Sequence, residues 1–420
     1  MPDNAGRYDI AVIGGGAAGM MAGITALERG RSAVIIEKNG KLGKKLFLTG
    51  KGRCNLTNAC PEDELRRHIV SNEKFMYSSL KRFSNTDVMD FFRESGLKIK
   101  TERGGRVFPE SDHSSDVIRV LEKRLRAGGA DIRLNTRAVK LLTENGKCVG
   151  VTVSGEDGKE YDISTESVIV ATGGLSYPST GSTGDGYRFA ADQGISVGEL
   201  SPSLVPLEIK GDICRRLQGL SLKNVRIAVK DGNKTIFHSK DTGEMLFTHF
   251  GVSGPLILTA SSEIPPEAYR RDLKLYIDLK PALGVEELDQ RVQRDFREAM
   301  NREYRNSLSK LLPSSLIPVM VEVTRTDPDK KVNSVTKEER SRLVNSLKAF
   351  ELEIKGTRGF EEAVITKGGI SVKETDPKTL GSKKVGGLYF AGEVLDVDAH
   401  TGGFNLQIAW STGYAAGSFA

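Results

Sequence analysis

The stretch YDIAVIGGGAAGMMAGITALERGRSAVIIEK, Tyr8 to Lys38, decides the fold. Ile10 to Ile13 is an apolar run of the kind that forms a buried parallel strand, and it breaks into Gly14-Gly15-Gly16-Ala17-Ala18-Gly19. Helical spacing runs from Ala17 to about Arg29 and stops at Gly30; a second apolar run, Ala33 to Ile36, ends on the acid Glu37. Strand, glycine turn, helix, strand and terminal acid in that order make a dinucleotide-binding unit. Gly14 permits the tight turn, Gly16 clears the approach of a pyrophosphate, and Gly19 lets the helix lie close to the strand. The helix start presents unpaired N–H groups and the positive end of its dipole. Glu37, eighteen residues past Gly19 (37 − 19), is placed to accept from ribose hydroxyls.

Outward from this unit, a chain of 420 residues has room for two or three domains. A hydrophobic share of 38% and a charged share of 28% suit a soluble globular protein, and no apolar run reaches the length of a membrane span. The start, Met1 to Arg7, carries no basic-then-apolar leader, so a cytoplasmic protein is expected. Cys54, Cys60, Cys148 and Cys214 are too scattered for a zinc site or a Cys-x-x-Cys pair, so no metal is expected. The net charge of +6 is spread among interleaved acids and bases, which reads as a solvated surface and disfavours nucleic acid as the partner. The sequence carries no signal for an oligomeric state.

Beyond Glu37, the loop at 38–59 sets Lys41, Lys44, Lys45, Lys51 and Arg53 among glycines, a composition that can approach and neutralise phosphate. Helices are expected over 62–83, 86–95 and 115–127, a hairpin around Gly104-Gly105, and separate strands over 131–135, 138–143, 148–154, 159–163 and 167–172. Gly181 to Gly186 leads into a helix over 187–193 but has neither the spacing nor the acid of a second nucleotide site. From 195 to 365 short strands dominate, reading as an inserted barrel or sandwich with helical patterns at 285–311 and 336–349, the break between them marked by Pro313 and Pro318. The tail, 366–420, returns to α/β character, so the nucleotide domain (1–194 and 366–420) is split by the insert, with its helical part at about 285–350. A buried strand at 388–391 leads to Gly392-Glu393, and Gly402-Gly403 precede a helix over 404–416. A helix start there can stabilise the negative charge of a reduced flavin, which favours FAD over a nicotinamide as the bound dinucleotide.

The words IGGGAAGMMA (13–22), GKGRCNLTN (50–58), GRVFP (105–109), VIVATGGLSYPSTGSTGDGY (168–187), LFTHFGVSGP (246–255) and GGLYFAGEVLDVDAHTGGFNLQIAWSTG (386–413) occur in order along nearly the whole chain. In these it resembles the BaiN-type, aminoacetone-oxidase-like flavoproteins, also described as NAD(FAD)-utilising dehydrogenases. The resemblance implies a Rossmann-like FAD-binding domain of the two-dinucleotide-binding-domain superfamily, interrupted by a β-barrel-like insert. It also implies which residues meet FAD: Gly14, Gly16, Ala17, Ala18 and Gly19; Glu37 and Lys38; Gly52, Arg53, Cys54 and Asn55; Val139; Ala171, Thr172 and Gly173; Gly392 and Glu393; Gly403, Phe404, Asn405 and Leu406. The wider superfamily often has Asp after the late glycine, so Asp396 is a second candidate beside Glu393.

The expected activity is that of an FAD-dependent oxidoreductase exchanging hydride between flavin N5 and a small organic substrate. Arg53, Cys54, His249 and His400 are the candidates for the reacting face: an anion-pairing cation, a thiol and two groups able to move a proton near neutral pH. Each also has a structural reading, as salt bridge, packed thiol or loop cap. No second nucleotide unit is present, so NAD(P)H is expected only as a transient donor, with oxygen or a carrier protein as other options. An FAD-dependent RNA-modifying protein and a non-catalytic flavin sensor are the alternatives.

Overall fold

A computed structural model describes residues 7–420; residues 1–6, most of the start read as carrying no leader, lie outside it. The described residues divide into two compact units, 7–203 with 360–420, and 204–359. The insert read at 195–365 is therefore narrower as a compact body. The reason is local: strand Ser201–Ser203 pairs antiparallel with Ile365–Lys367, so both ends of the insertion are clasped into the first unit.

The first unit is built on a sheet whose order is Asp131–Arg133, Ala33–Ile36, Arg7–Ile13, Glu160–Val170, Lys147–Ser154, Arg137–Glu144. The opening strand lies parallel to Ala33–Ile36 in the register Ile10↔Ala33 to Ile13↔Ile36, and parallel to Glu160–Val170 in the register Ile10↔Ser167 to Ile13↔Val170. Its last four residues are buried, as an apolar run covered on both faces requires. The segment expected as two strands, 159–163 and 167–172, is one strand, Glu160–Val170. On its other side it changes partner, antiparallel to Lys147–Ser154 through Ser164 and then parallel to Leu388–Phe390 from Val168. The polar residues Ser164 to Ser167 look like a loop in sequence, yet they lie where the strand passes from one neighbour to the next.

Helices Ala17–Glu28 and Phe404–Phe419 pack side by side. Small residues make the closeness possible: a Cβ added at Gly413 would sit 2.4 Å from the Ala18 carbonyl oxygen, and one at Gly417 2.3 Å from that of Ala22. The last helix is buried on nearly every side, so its polar residues must find partners. Trp410 Nε1 donates to the Leu56 carbonyl (2.9 Å), and Gln407 accepts from Thr57 Oγ1 (2.6 Å) and donates to the Phe83 carbonyl (3.2 Å). The helix expected over 62–83 is broken into Glu62–Arg67, a 3₁₀ turn at Glu73–Met76 and Tyr77–Arg82; Asn72, left-handed at φ 55°, makes the turn.

In the second unit Ser221–Asp231, Gly243–Phe247, Gly251–Ser253, Leu207–Ile209, Phe350–Thr357 and Leu273–Asp278 pair in sequence and close back on Ser221–Asp231. This is a barrel, with Lys234–His238 paired onto the long strand. Helices Val285–Glu298, Ile317–Thr324 and Lys337–Lys348 share its core. Pro318, expected to mark a break, instead lies in the first turn of a helix, where its missing N–H costs nothing.

Candidate functional site

The glycine turn of the first unit is assembled by the acid at the end of the second strand. Glu37 is 8% exposed; its Oε2 accepts from the Gly15 N–H (2.8 Å) and its Oε1 from Asn39 N (2.8 Å) and Asn39 Nδ2 (2.7 Å). A carboxylate has about four acceptor positions, so one remains for a ribose hydroxyl. Gly19 lies so near the strand that a Cβ there would be 1.8 Å from the Gly14 carbonyl oxygen, while a Cβ on Gly16 would meet nothing within 4 Å. One glycine is thus required by the protein itself. The other faces open space at the start of the Ala17–Glu28 helix, where an anion is favoured.

The other candidate residues of this unit join the turn through named contacts. Ala171 N donates to the Ile13 carbonyl (2.8 Å), bringing Ala171, Thr172 and Gly173 beside Gly14. Lys38 Nζ donates to Asp185 Oδ2 (2.6 Å). Burial pushes the Asp185 carboxyl up, but the Lys38 hydrogen bond and charge outweigh it, and the group lies below the usual carboxylate range. Val139 falls at a bulge between Ala138 and Lys140, so it is left out of the ladder with Lys147–Ser154, and its carbonyl accepts from Arg188 Nη1 (2.8 Å). Asn55 Oδ1 is buried without a partner. It follows a turn in which Lys51 and Cys54 are held at φ 59°, a conformation that costs non-glycine residues on the order of 1–3 kcal/mol and concentrates at ligand sites. An open Gly16, a bulged Val139 and an unanswered Asn55 oxygen fit a long dinucleotide bound by backbone and amide groups.

Glu393 and Asp396 part company. Glu393 Oε2 accepts from Lys45 Nζ (2.6 Å), and its Oε1 accepts from Ser176 Oγ (2.6 Å) and Thr366 N (2.9 Å). Of the cations in the 38–59 loop, Lys45 is therefore drawn to the late Gly-Glu pair. Burial pushes the Asp396 carboxyl up, against a hydrogen bond from Asn72 and the charge of Lys367. Gly403 caps the last helix at φ 98°, with a Cβ position 2.4 Å from the Thr57 carbonyl oxygen. Phe404 is buried, and Asn405 closes the preceding loop by accepting from Ala399 N (2.9 Å) and donating to its carbonyl (2.7 Å); Leu406 is half-buried.

The candidates for the reacting face have different surroundings. Arg53 pairs with Glu102 and with Asp112 (Nε to Oδ1 2.7 Å), its guanidinium 4.1 Å over the Phe108 ring. Burial pushes the Cys54 thiol up to about 12, so it is a neutral packed group near pH 7. His249 belongs to the second unit, exposed, its ring edge-on to Phe250 at 5.0 Å. His400 stands before the last helix, with its Nδ1 3.2 Å from His68 Nδ1, and His68 is stacked on Phe404 at 4.2 Å. Neither His68 nor the buried Asp398 is singled out by sequence. The crowding of acids in DVDAH around His400 is the signal that could have found Asp398; His68 has none.

The HI0933-like protein Rossmann domain profile matches residues 8–419. The chain belongs to the HI0933-like family. Among curated members of similar sequence are a 3-dehydro-bile acid delta(4,6)-reductase of Clostridium scindens, 32% identical over 98% of both chains, and a ribosomal RNA dihydrouridine synthase of Escherichia coli, 30% identical over 97% of both. A solved structure of similar fold is the 3-ketosteroid delta1-dehydrogenase of Sterolibacterium denitrificans in complex with 1,4-androstadiene-3,17-dione. Its TM-score is 0.54 at 14% identity, covering 98% of each chain. This HI0933-like chain has the Rossmann-like FAD-binding fold, and it is an FAD-dependent oxidoreductase. Among the described residues no helix is long and apolar enough to cross a membrane, and no cluster suited to a metal ion occurs.

Proposed function

We propose that the chain binds FAD along the Gly14–Gly19 turn, Glu37, Val139, Asn55 and the Gly403 helix start, and reduces a carbon–carbon double bond conjugated to a carbonyl in a small organic substrate. The observation that carries the reading is the junction at Ala18. A Cβ on Gly392 would lie 2.7 Å from Ala18 Cβ, and Gly413 abuts the same residue's carbonyl, so the first and last segments of the sequence form one cradle. Bound there, FAD supplies a hydride at N5. The N–H groups at the start of the last helix stabilise negative charge, and His400 holds a proton for the carbon that does not receive hydride. The two curated relatives support the reaction type, since one is named a delta(4,6)-reductase of 3-dehydro-bile acid and the other a dihydrouridine synthase of ribosomal RNA.

NAD(P)H as the transient donor, and residence in the cytoplasm, complete the proposal. The test is anaerobic. Holoenzyme is mixed with NADH or NADPH, and photoreduced holoenzyme with a 4-en-3-one steroid. Flavin bleaching in the first mixing and recovery in the second are expected; no recovery with the enone overturns the small-substrate reading. A second reading, reduction of a uridine in RNA, is favoured by the dihydrouridine synthase relative, and predicts recovery with a ribosomal RNA fragment instead.

A further inference from the structure

The stretch Asp398–His400 runs alongside His68–Val70. Ile69 bridges Ala399 antiparallel, His400 N donates to the His68 carbonyl (2.9 Å), and Val70 N donates to the Asp398 carbonyl (2.8 Å). The bridge sets His68 opposite His400, with 3.2 Å between their Nδ1 atoms, and Asp398 stands two residues before His400. Two ring nitrogens at that distance hold one proton between them, one donating and the other accepting.

Asp398 is 1% exposed, and its Oδ1 has no hydrogen-bond partner. The groups facing it are few. Ser203 Oγ lies 3.5 Å from Oδ2 and Ser71 donates to the carboxyl, while Lys367, Asp396 and His400 act through their charge. Burial pushes the carboxyl above its usual range, against Ser71, Lys367 and His400. A buried carboxyl with an unanswered oxygen is costly unless it holds or exchanges a proton.

We propose that Asp398 and His68 are positioning residues of a proton relay that ends on His400. The relay serves the proton half of the double-bond reduction proposed above and rests on that reading. The substrate gains two electrons as hydride from the flavin, itself reduced by a hydride donor of the nicotinamide class, and gains one proton from a His400 ring nitrogen. His400 then takes a proton across the Nδ1–Nδ1 contact from half-buried His68, which recovers it from water. Asp398 fixes which charge state the pair holds and so which ring carries the shared proton.

The experiment needs no substrate. Holoenzyme labelled with [¹³C]histidine is titrated by NMR as wild type, Asp398→Asn and His68→Gln, with FAD affinity and melting temperature measured alongside. The His400 midpoint is expected to move by ~0.5 pH unit or more in both variants, with His113 and His238 unmoved and FAD affinity within about twofold. A His400 midpoint unchanged in folded variants overturns the relay, as does a fall in melting temperature with no midpoint shift. If Asp398→Asn loses FAD, His68→Gln decides alone. Failure here leaves the double-bond reading standing, and failure of enone turnover leaves this coupling untouched.

Discussion

Gly16→Ala and Gly19→Ala differ by three positions in one turn, and the structure assigns them opposite consequences. At Gly16 the backbone is at φ −83°, accessible to any residue, and the new methyl meets nothing within 4 Å. The apoprotein should therefore keep its stability, or gain the ~0.4–1 kcal/mol by which Gly→Ala restricts the unfolded chain at a compatible site. With the diphosphate placed as proposed, the methyl takes up space that it needs, and FAD affinity should fall at least tenfold, about 1.4 kcal/mol. At Gly19 the methyl would lie 1.8 Å from the Gly14 carbonyl oxygen, with Gly14 C at 3.0 Å and Val12 Cγ1 at 3.3 Å. Helix and strand would have to separate, an overpacking cost of ~3 kcal/mol or more against the ~1 kcal/mol that Ala gains in a helix. Urea unfolding of both apoproteins and fluorescence titration with FAD separate the two effects. A Gly16→Ala protein that binds FAD like wild type would refute the placement of the diphosphate, and a fully stable Gly19→Ala protein would refute the packing.

Glu393→Gln removes the charge that Lys45 answers; the pair is about a fifth exposed, so a loss of ~1–2 kcal/mol is expected in urea unfolding, with weaker FAD binding. Cys54, its thiol pushed up to about 12, should resist thiol reagents at pH 8 in the folded protein and react only on unfolding. Asp398 has a carboxyl pKa raised on folding, so its contribution favours the native state at low pH and is lost as pH rises through the unfolded and then the folded value. Asp398→Asn should therefore raise the melting temperature at pH 8 relative to wild type, with the gain vanishing near pH 3.5. Gly413→Val should destabilise by ~1–3 kcal/mol through the 2.4 Å approach to the Ala18 carbonyl.

The parts legible in sequence are those whose cause is local. The strand–turn–helix from Tyr8 to Lys38 announces itself because a glycine turn, a helix start and two apolar runs need no distant partner. The last helix was legible from Gly403 onward for the same reason. What escaped depends on pairing across the chain. The polar run Ser164 to Ser167 hid the continuity of one strand because the neighbour it changes to, Leu388–Phe390, is far along the sequence. Arg53 reads in sequence equally as an anion-pairing cation or a salt-bridge partner, and only the hairpin and the turn that follows, which bring Glu102 and Asp112 to it, show the salt bridge. His68 beside His400 depends on a bridge between residues far apart, and no spacing rule encodes it.

The clasp between Ser201–Ser203 and Ile365–Lys367 places Ser203 opposite Ile365, where the excursion into the barrel begins and ends. Two polypeptide ends held in register a few ångströms apart are what a short linker could join. The barrel can then be regarded as a cassette: splicing it out, or replacing it with that of a relative, should leave the nucleotide-binding half able to fold and turn yellow.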